Sequence, residues 1–251
     1  CFMQYIVARP VLDAATAAQR GPYSCTVVIP CFNEEGNVAE CVRRVPRLGR
    51  ATEIIVVDDG SSDRTAEIVN ELAKTNPDLR LLSYRPNRGK GHAVKAGFEA
   101  ARGDVVMILD ADMTVMPEEL DRFLQPIEEG KAEFVNGTRM LYPMEGGAMK
   151  LLNFWGNKLF GIIISLIIGQ RNTDTLCGTK AMLKRDFAYV PMTDPSWGDF
   201  DLIFGAARLK LKTVEVPVHY LSRRAGESKM KAFKHGWKLL LVCWRGLREL
   251  Y

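Results

Sequence analysis

The chain has 251 residues, 47% of them hydrophobic and 25% charged, which is the balance of an ordinary globular protein. That length suits one large α/β domain, or one domain with an appendage. A net charge of +4 is too small to argue for nucleic acid as a partner. The six cysteines (Cys1, Cys25, Cys31, Cys41, Cys177, Cys243) have neither metal-ligand spacing nor the density of a disulfide scaffold, which points to a reduced, cytoplasmic-type compartment. No apolar run reaches the ~18 residues needed to span a bilayer. The nearest, Leu159 to Gly169, is too short. Residues 1–24 have no positive segment ahead of a hydrophobic one, so they read as an N-terminal extension and not as a signal peptide. The chain opens on Cys, as a piece of a longer protein would.

In chain order, Thr26 to Pro30 predicts a short buried strand closed by proline. Cys31 to Gly36 forms a loop, and Asn37 is placed to cap a helix to Val45. Glu53 to Gly60 predicts a second buried strand ending on Asp58 and Asp59. Ser61-Ser62-Asp63 then caps a helix to Lys74, with Glu67 at capping-box spacing. A third strand, Leu79 to Tyr84, leads through the basic glycine loop Pro86 to Gly91 into a helix from His92 to Arg102. Val105 to Leu109 is an unbroken apolar run, as expected of a strand covered on both faces, and it stops at Asp110-Ala111-Asp112.

A helix from Pro117 to Glu129 follows, then a strand from Glu133 to Arg139 and an apolar helix from Ala148 to Gly169. Asp174 to Leu183 mixes turn and strand, with Asp174 and Gly178 read as turn chemistry. A helix opens at Gly198-Asp-Phe-Asp, Val214 to Tyr220 is a strand, and Arg223 to Lys231 is a basic loop. Phe233 to Leu250 closes the chain as an amphipathic helix. The β-α alternation with short connections predicts a doubly wound, mostly parallel sheet flanked by helices, in one domain spanning 25–231 with a terminal helix at 232–251.

Carboxylates recur where the strands stop, at Glu34, Asp58, Asp59, Asp110 and Asp112. Ligands of open α/β sheets bind outside the carboxyl ends of the strands. On an extended backbone Asp110 and Asp112 would point the same way. Two like charges so close repel unless a cation joins them. A hard divalent ion shared with a substrate diphosphate would do so, with Arg88 and Lys90 neutralising phosphate charge. The alternative is an acidic turn capping the helix at Pro117, with Asp58 and Asp59 as plain strand-end caps and Arg139 as a salt-bridge partner. His92, His219 and His235 share no metal-type spacing.

Taken together, Val-Ile-Pro-Cys-Phe-Asn-Glu (28–34), Val-Val-Asp-Asp-Gly-Ser-Ser-Asp-Arg-Thr (56–65), Asn-Arg-Gly-Lys-Gly (87–91), Asp-Ala-Asp (110–112), Gly-Thr-Arg (137–139) and Ala-Gly-Glu-Ser-Lys (225–229) make the chain resemble the family-2 glycosyltransferases of the GT-A fold. More narrowly it is similar to their polyprenyl-phosphate branch, dolichol-phosphate mannosyltransferase and its bacterial relatives. The resemblance implies an inverting, metal-dependent transfer of a sugar from a GDP- or UDP-linked donor to a polyprenyl phosphate.

By the same resemblance, Pro30, Asn33, Glu34, Asp58, Asp59, Lys90 and Asp110 bind the nucleotide sugar, and Asp110 and Asp112 hold Mg²⁺ or Mn²⁺. Arg139, Arg223, Arg224, Ser228 and Lys229 bind the acceptor phosphate. Asp112, Asp199, Asp201 and Arg139 are the catalytic candidates, Asp199 or Asp201 standing where other members carry a base. Two departures stand out. Thr114 occupies a position that often supplies a further polar ligand, and a second acceptor-site arginine has no clear equivalent, Lys150 being the nearest cation.

The terminal helix alternates Phe233, Trp237, Leu240, Leu241, Trp244 and Leu247 with Lys231, Lys234, Lys238, Arg245 and Arg248, a pattern suited to a bilayer interface. The expected place of work is the cytoplasmic face of a membrane, with a homo-oligomer or a membrane-protein partner left open. Three alternatives remain. They are transfer to a sugar hydroxyl, a non-catalytic nucleotide-sugar-binding or membrane-docking subunit, and a dinucleotide-dependent oxidoreductase built on the broken fingerprint Gly89 to Val94.

Overall fold

A computed structural model describes residues 21–142, 151–195, 198–222 and 232–250. Seven strands form one sheet in the order β3-β2-β1-β4-β6-β5-β7. They are β1 (Ser24–Cys31), β2 (Ala51–Asp58), β3 (Leu79–Ser83), β4 (Val105–Ile108), β5 (Phe134–Thr138), β6 (Lys180–Leu183) and β7 (Thr213–Pro217). Strands β1 to β4 pair in parallel, as do β5 and β7. The short strand β6 runs backwards between β4 and β5. The rest of the sheet is parallel, as the expected mostly parallel sheet requires. Among the described residues eight α-helices accompany the strands, seven between strands and the last after β7: α1 (Val38–Arg44), α2 (Thr65–Ala73), α3 (Lys90–Ala100), α4 (Asp121–Glu128), α5 (Leu151–Ile168), α6 (Lys184–Phe187), α7 (Asp199–Arg208) and α8 (Ala232–Leu250).

Strand periodicity explains the two-sided core. Val27 and Ile29 of β1 pack with Val56, Met107, Leu109 and Phe123 on one face. Val28 joins Ile55, Val57, Phe98, Val106, Ile108 and Phe200 on the other. Strand β4 meets water on neither face, so its sequence is apolar throughout.

The order of the strands sets the site. After β1 the chain steps outward through β2 and β3, then returns to place β4 on the opposite side of β1. This is a topological switch point, where the loops diverge and leave a crevice. Pro30 fits this geometry. The β4 ladder on β1 ends at the Val28–Ile108 pair, so the amide that proline lacks at position 30 has no β4 partner to lose.

The two helix caps differ in detail from expectation. Helix α2 begins at Thr65, directly after the Ser61-Ser62-Asp63 turn, and Asp63 Oδ1 accepts from the Thr65 amide (3.0 Å) and hydroxyl (2.6 Å). Glu67 pairs with Arg64 and does not close a capping box. Asn37 stands at the N-cap of α1, but its side-chain amide donates to Glu34 Oε2 at 2.8 Å.

Candidate active site

The loops after β1 and β2 are zipped together. The Asn33 amide donates to Ser61 Oγ (2.9 Å), and Asn33 Oδ1 accepts from the Ser62 amide (2.8 Å). The Glu34 amide donates to Thr65 Oγ1 (2.9 Å). Asn33 adopts a left-handed backbone (φ 55°), which asparagine tolerates better than most residues. Asp58 is 2% exposed, and its oxygens accept from the Ser61 amide (3.0 Å) and the Ser83 hydroxyl (2.9 Å). Asp59 is 3% exposed and accepts from the amides of Arg88 (2.7 Å) and Gly89 (2.8 Å). The structure therefore shows both acids holding loops, the cap-like job weighed against ligand contact. Asp59 in particular pins the basic glycine loop to the end of β2.

The ends of β1 and β2 lie side by side, with Cys31 in register with Asp58. Cys31, buried at the end of β1, has its thiol pushed up first by burial, then by Cys41 and by the carboxylates of Glu34, Asp58 and Asp110. Three strand ends thus bear on one sulfur. Cys25, Cys41, Cys177 and Cys243 are likewise buried free thiols.

Past β4 the backbone turns. Extended geometry ends before Asp110, so strand alternation does not aim Asp110 and Asp112 together, as the sequence reading supposed. Met113 takes a left-handed φ of 60°, an unusual conformation for a bulky residue and one that clusters at functional sites. It folds the turn so that Thr114 grips Asp112 Oδ1 through its amide (3.1 Å) and hydroxyl (2.7 Å). Thr114 thus orients Asp112.

Asp110 lies 2.7 Å from Lys90 Nζ, at the first residue of α3. The same ammonium is 3.7 Å from Asp199 Oδ2, at the first residue of α7. The two helix starts meet glycine to glycine. A Cβ on Gly91 would come within 2.1 Å of Asp194 O and 2.9 Å of Gly198 N, and one on Gly198 within 2.8 Å of Gly91 Cα. No larger residue permits that approach, and the approach brings Lys90 to Asp199. Burial alone would push the Lys90 ammonium down, but Asp110 and Asp199 overcome it and hold the group above lysine's ordinary value.

Gly178, read from sequence as turn chemistry, faces the same carboxylate. A Cβ there would lie 2.1 Å from Asp110 Oδ2 and 2.7 Å from Lys90 Nζ, so glycine is what lets this ion pair pack against the backbone. Lys180 was missed. It is 1% exposed, donates to the Cys177 carbonyl, and lies 3.6 Å from Asp199 Oδ1. Its only sequence signal is a lone cation ahead of Ala-Met-Leu.

Asp199 and Asp201 part company. Residues two apart on an α-helix project roughly 200° apart. Asp199 faces the lysines. Asp201 turns away, accepting from the amides of Thr193 and Asp194 (both 2.7 Å) and pairing with Arg245 of α8. Asp201, one of the catalytic candidates, thus ties α7 to α8 through its carboxylate, with Arg245 as the partner on α8.

Arg139 is bound by Asp174. Its Nε and Nη2 meet the two carboxylate oxygens at 2.6 and 2.7 Å, and its amide adds a bond at 3.0 Å. Asn157 Nδ2 (2.7 Å) and the Leu176 amide (3.1 Å) complete the Asp174 shell, and Tyr220 lies under the guanidinium. Burial would raise the Asp174 carboxyl, but Arg139 beside it brings it down to about 2. Among the described residues Nη1 is the arginine nitrogen that Asp174 leaves unengaged. Arg223, Arg224, Ser228 and Lys229 lie outside the described residues, as does Lys150.

With this geometry in place, comparison is decisive: the model of glycosyl transferase family 2 matches residues 26–189. The chain belongs to that family. An undecaprenyl-phosphate 4-deoxy-4-formamido-L-arabinose transferase of Edwardsiella ictaluri (strain 93-146) is 31% identical over 215 residues, covering 83% of this chain and 63% of that protein. Its namesake in Pectobacterium carotovorum subsp. carotovorum (strain PC1) is 33% identical with the same coverage. This family-2 chain thus spans less than two thirds of those relatives' length. Among solved structures, glucosyl-3-phosphoglycerate synthase from Mycobacterium tuberculosis, in complex with Mn²⁺, UDP-glucose and phosphoglyceric acid, aligns with a TM-score of 0.69 at 20% identity over 96% of this chain and 86% of that one. Mannosyl-3-phosphoglycerate synthase from Rubrobacter xylanophilus gives 0.68 at 19% identity over 90% and 74%. These likenesses establish the expected GT-A fold.

Proposed function

We propose that this chain is the transferase region of an enzyme that moves a sugar from a nucleoside diphosphate to a polyprenyl phosphate, with inversion. The observation that carries the reading is the Asp110–Lys90–Asp199 cluster at the β1/β4 switch point, packed against Gly178. In the reaction the bond from the sugar's anomeric carbon to the diphosphate oxygen breaks, and the diphosphate keeps the electron pair. An oxygen of the acceptor phosphate bonds to the same carbon from the opposite face. That phosphate is already anionic near neutral pH, so it needs positioning and not a general base.

The donor set suits a hard divalent ion. Among the described residues no cluster of three or more ligating side chains exists, so Asp110 and Asp112 would hold Mg²⁺ or Mn²⁺ together with substrate phosphate oxygens. The Asp110 side chain is partly exposed, where such a group can reach it. When bound, the ion would stabilise the charge growing on the departing diphosphate as a Lewis acid. Lys90, at the positive end of α3, turns its ammonium to the same phosphates. Asp199 orients a sugar hydroxyl. Arg139 adds positive charge toward the acceptor, with Nη1 as its available donor and Asp174 fixing its plane.

The relatives' names support the lipid acceptor and give a modified arabinose as the sugar they transfer. Nothing in this chain's described residues singles out mannose, the sugar of the eukaryotic branch. GDP- and UDP-linked donors are both carried forward, the fold neighbour being a complex with UDP-glucose.

Surface chemistry supports a membrane location. On α5, Trp155 (58% exposed), Leu159, Ile162 and Leu166 (76%) form one outward stripe, and α5 packs on α8, which exposes Leu240, Leu241, Trp244 and Leu247. Lys158 lies over the Trp155 ring, as an interfacial cation would. Among the described residues no helix is long and apolar enough to cross a membrane. A peripheral position at the cytoplasmic face fits this two-helix patch.

The test is a panel of GDP- and UDP-sugars with Mn²⁺ and a short polyprenyl phosphate, analysed for a lipid-linked sugar. A product with any donor supports the reading, and it also excludes a non-catalytic subunit. A second reading, transfer to a sugar hydroxyl, is favoured by the unbonded Asp199 Oδ1, a base-like acceptor. It predicts product on oligosaccharide acceptors and none on the lipid phosphate.

A further inference from the structure

Lys180 carries a charge that the scheme above does not use. Its ammonium is buried in β6, where an unpaired cation is strongly disfavoured. One direction is anchored on the Cys177 carbonyl. In another, Asp199 Oδ1 lies at 3.6 Å, inside ion-pair range but beyond hydrogen-bond range. Asp199 is itself 7% exposed, and among the described residues its Oδ1 accepts no hydrogen bond. The charges alternate in space: Lys180, Asp199, Lys90, Asp110.

The two lysines differ in freedom. Lys90 is partly open to solvent and shared by two carboxylates, so an incoming diphosphate competes for it. Lys180 is closed off and cannot leave. When Lys90 swings to phosphate, Lys180 alone balances Asp199. We propose that Lys180 is a positioning residue that holds the Asp199 carboxylate toward the end of β4, with Oδ1 kept available for a hydroxyl of the bound sugar. A fully hydrogen-bonded lysine would use up that oxygen, whereas one at 3.6 Å attracts it and leaves its lone pairs to the ligand.

The kinetic arm of the test rests on the transferase reading, and the stability arm does not. Four variants of the full chain are compared: Lys180→Met, Lys180→Arg, Asp199→Asn, and the Met/Asn double. With Mn²⁺, the donor panel and a short polyprenyl phosphate, Lys180→Met should lower kcat about 10- to 100-fold, the usual range for residues that orient a working group, with donor KM little changed. Lys180→Arg should recover most of the rate. The double should be no slower than Asp199→Asn alone, because the two residues act as one unit. Losses that multiply, or a change confined to KM, would overturn the proposal.

In thermal unfolding, Lys180→Met should lower Tm by stranding a buried carboxylate, and adding Asp199→Asn should raise it again. A double variant less stable than Lys180→Met overturns the pairing. Where Lys180→Met yields no folded protein, recovery of folded chain on adding Asp199→Asn supports the proposal, and failure to recover it counts against. A wild-type chain that transfers no sugar defeats the transferase reading while the Tm comparison still decides this one.

Discussion

Two carboxylate–cation groups lie on neighbouring strands of this sheet, and they are built for opposite ends. Asp174 is a closed acid: it is buried, Arg139 forks onto both its oxygens, and amides and Asn157 fill its remaining sites, while Nη1 of the arginine is left unengaged by it. The Asp110–Lys90–Asp199–Lys180 row is open: one lysine serves two acids, distances stretch to 3.7 Å, and among the described residues Asp199 Oδ1 accepts no hydrogen bond. Saturation marks a group whose partner is the protein itself. Deficit marks one whose partner arrives with the ligand.

The sharpest way to break this contrast is Asp110→Asn. It should slow transfer on the order of 10³-fold or more, roughly 4 kcal/mol of barrier, with little change in Tm, as measured by initial rates of lipid-linked sugar formation. Asp174→Asn should do the reverse. It strands a buried guanidinium and should cost about 3 kcal/mol of stability, read from urea midpoints. Its pH dependence has a fixed sign. The Asp174 carboxyl is lowered from 3.8 to about 2 on folding, so its contribution is complete above pH 3.8 and is lost as pH falls toward 2. The stability gap between wild type and Asp174→Asn should therefore close over that window, and a gap unchanged at low pH would refute the assignment.

A smaller effect separates the two acids of α7. Asp201→Asn should destabilise by about 2 kcal/mol, through weakened charged hydrogen bonds, with the rate per folded molecule kept. Asp199→Asn should slow transfer per folded molecule and also lower Tm, since it leaves buried Lys180 without its carboxylate. If Asp201→Asn proves the slower enzyme, the helical argument is wrong. Smallest of all, Trp244→Ser should weaken binding to anionic vesicles about tenfold in a flotation assay, as expected for the loss of one interfacial aromatic.

The sheet was readable because buried parallel strands need apolar runs, and Val105 to Ile108 or Ile54 to Val57 has no other ready use. The strand-end acids stood out for the same reason, as charges ending such runs. Strand β6 was obscured by its four residues and its leading lysine, which imitate a loop. Asp199 and Asp201 looked equivalent in a linear motif, and only the helical period told them apart. Asp112 needed Met113's backbone, which no residue type announces. The Arg139 fork was ambiguous because its partner is 35 positions away. Asp174, read as structural from its turn-like surroundings, is buried in that role.

The reversed direction of β6 has a practical outcome for engineering. Every parallel strand delivers residues to the rim through the loop that follows it, but β6 does so through the segment that precedes it, since Lys180 sits opposite Ile108. Residues 172–179 therefore form a cassette hung from the working edge by its far end. Exchanging that cassette between relatives should re-tune sugar preference without disturbing the nucleotide loops after β1 and β2.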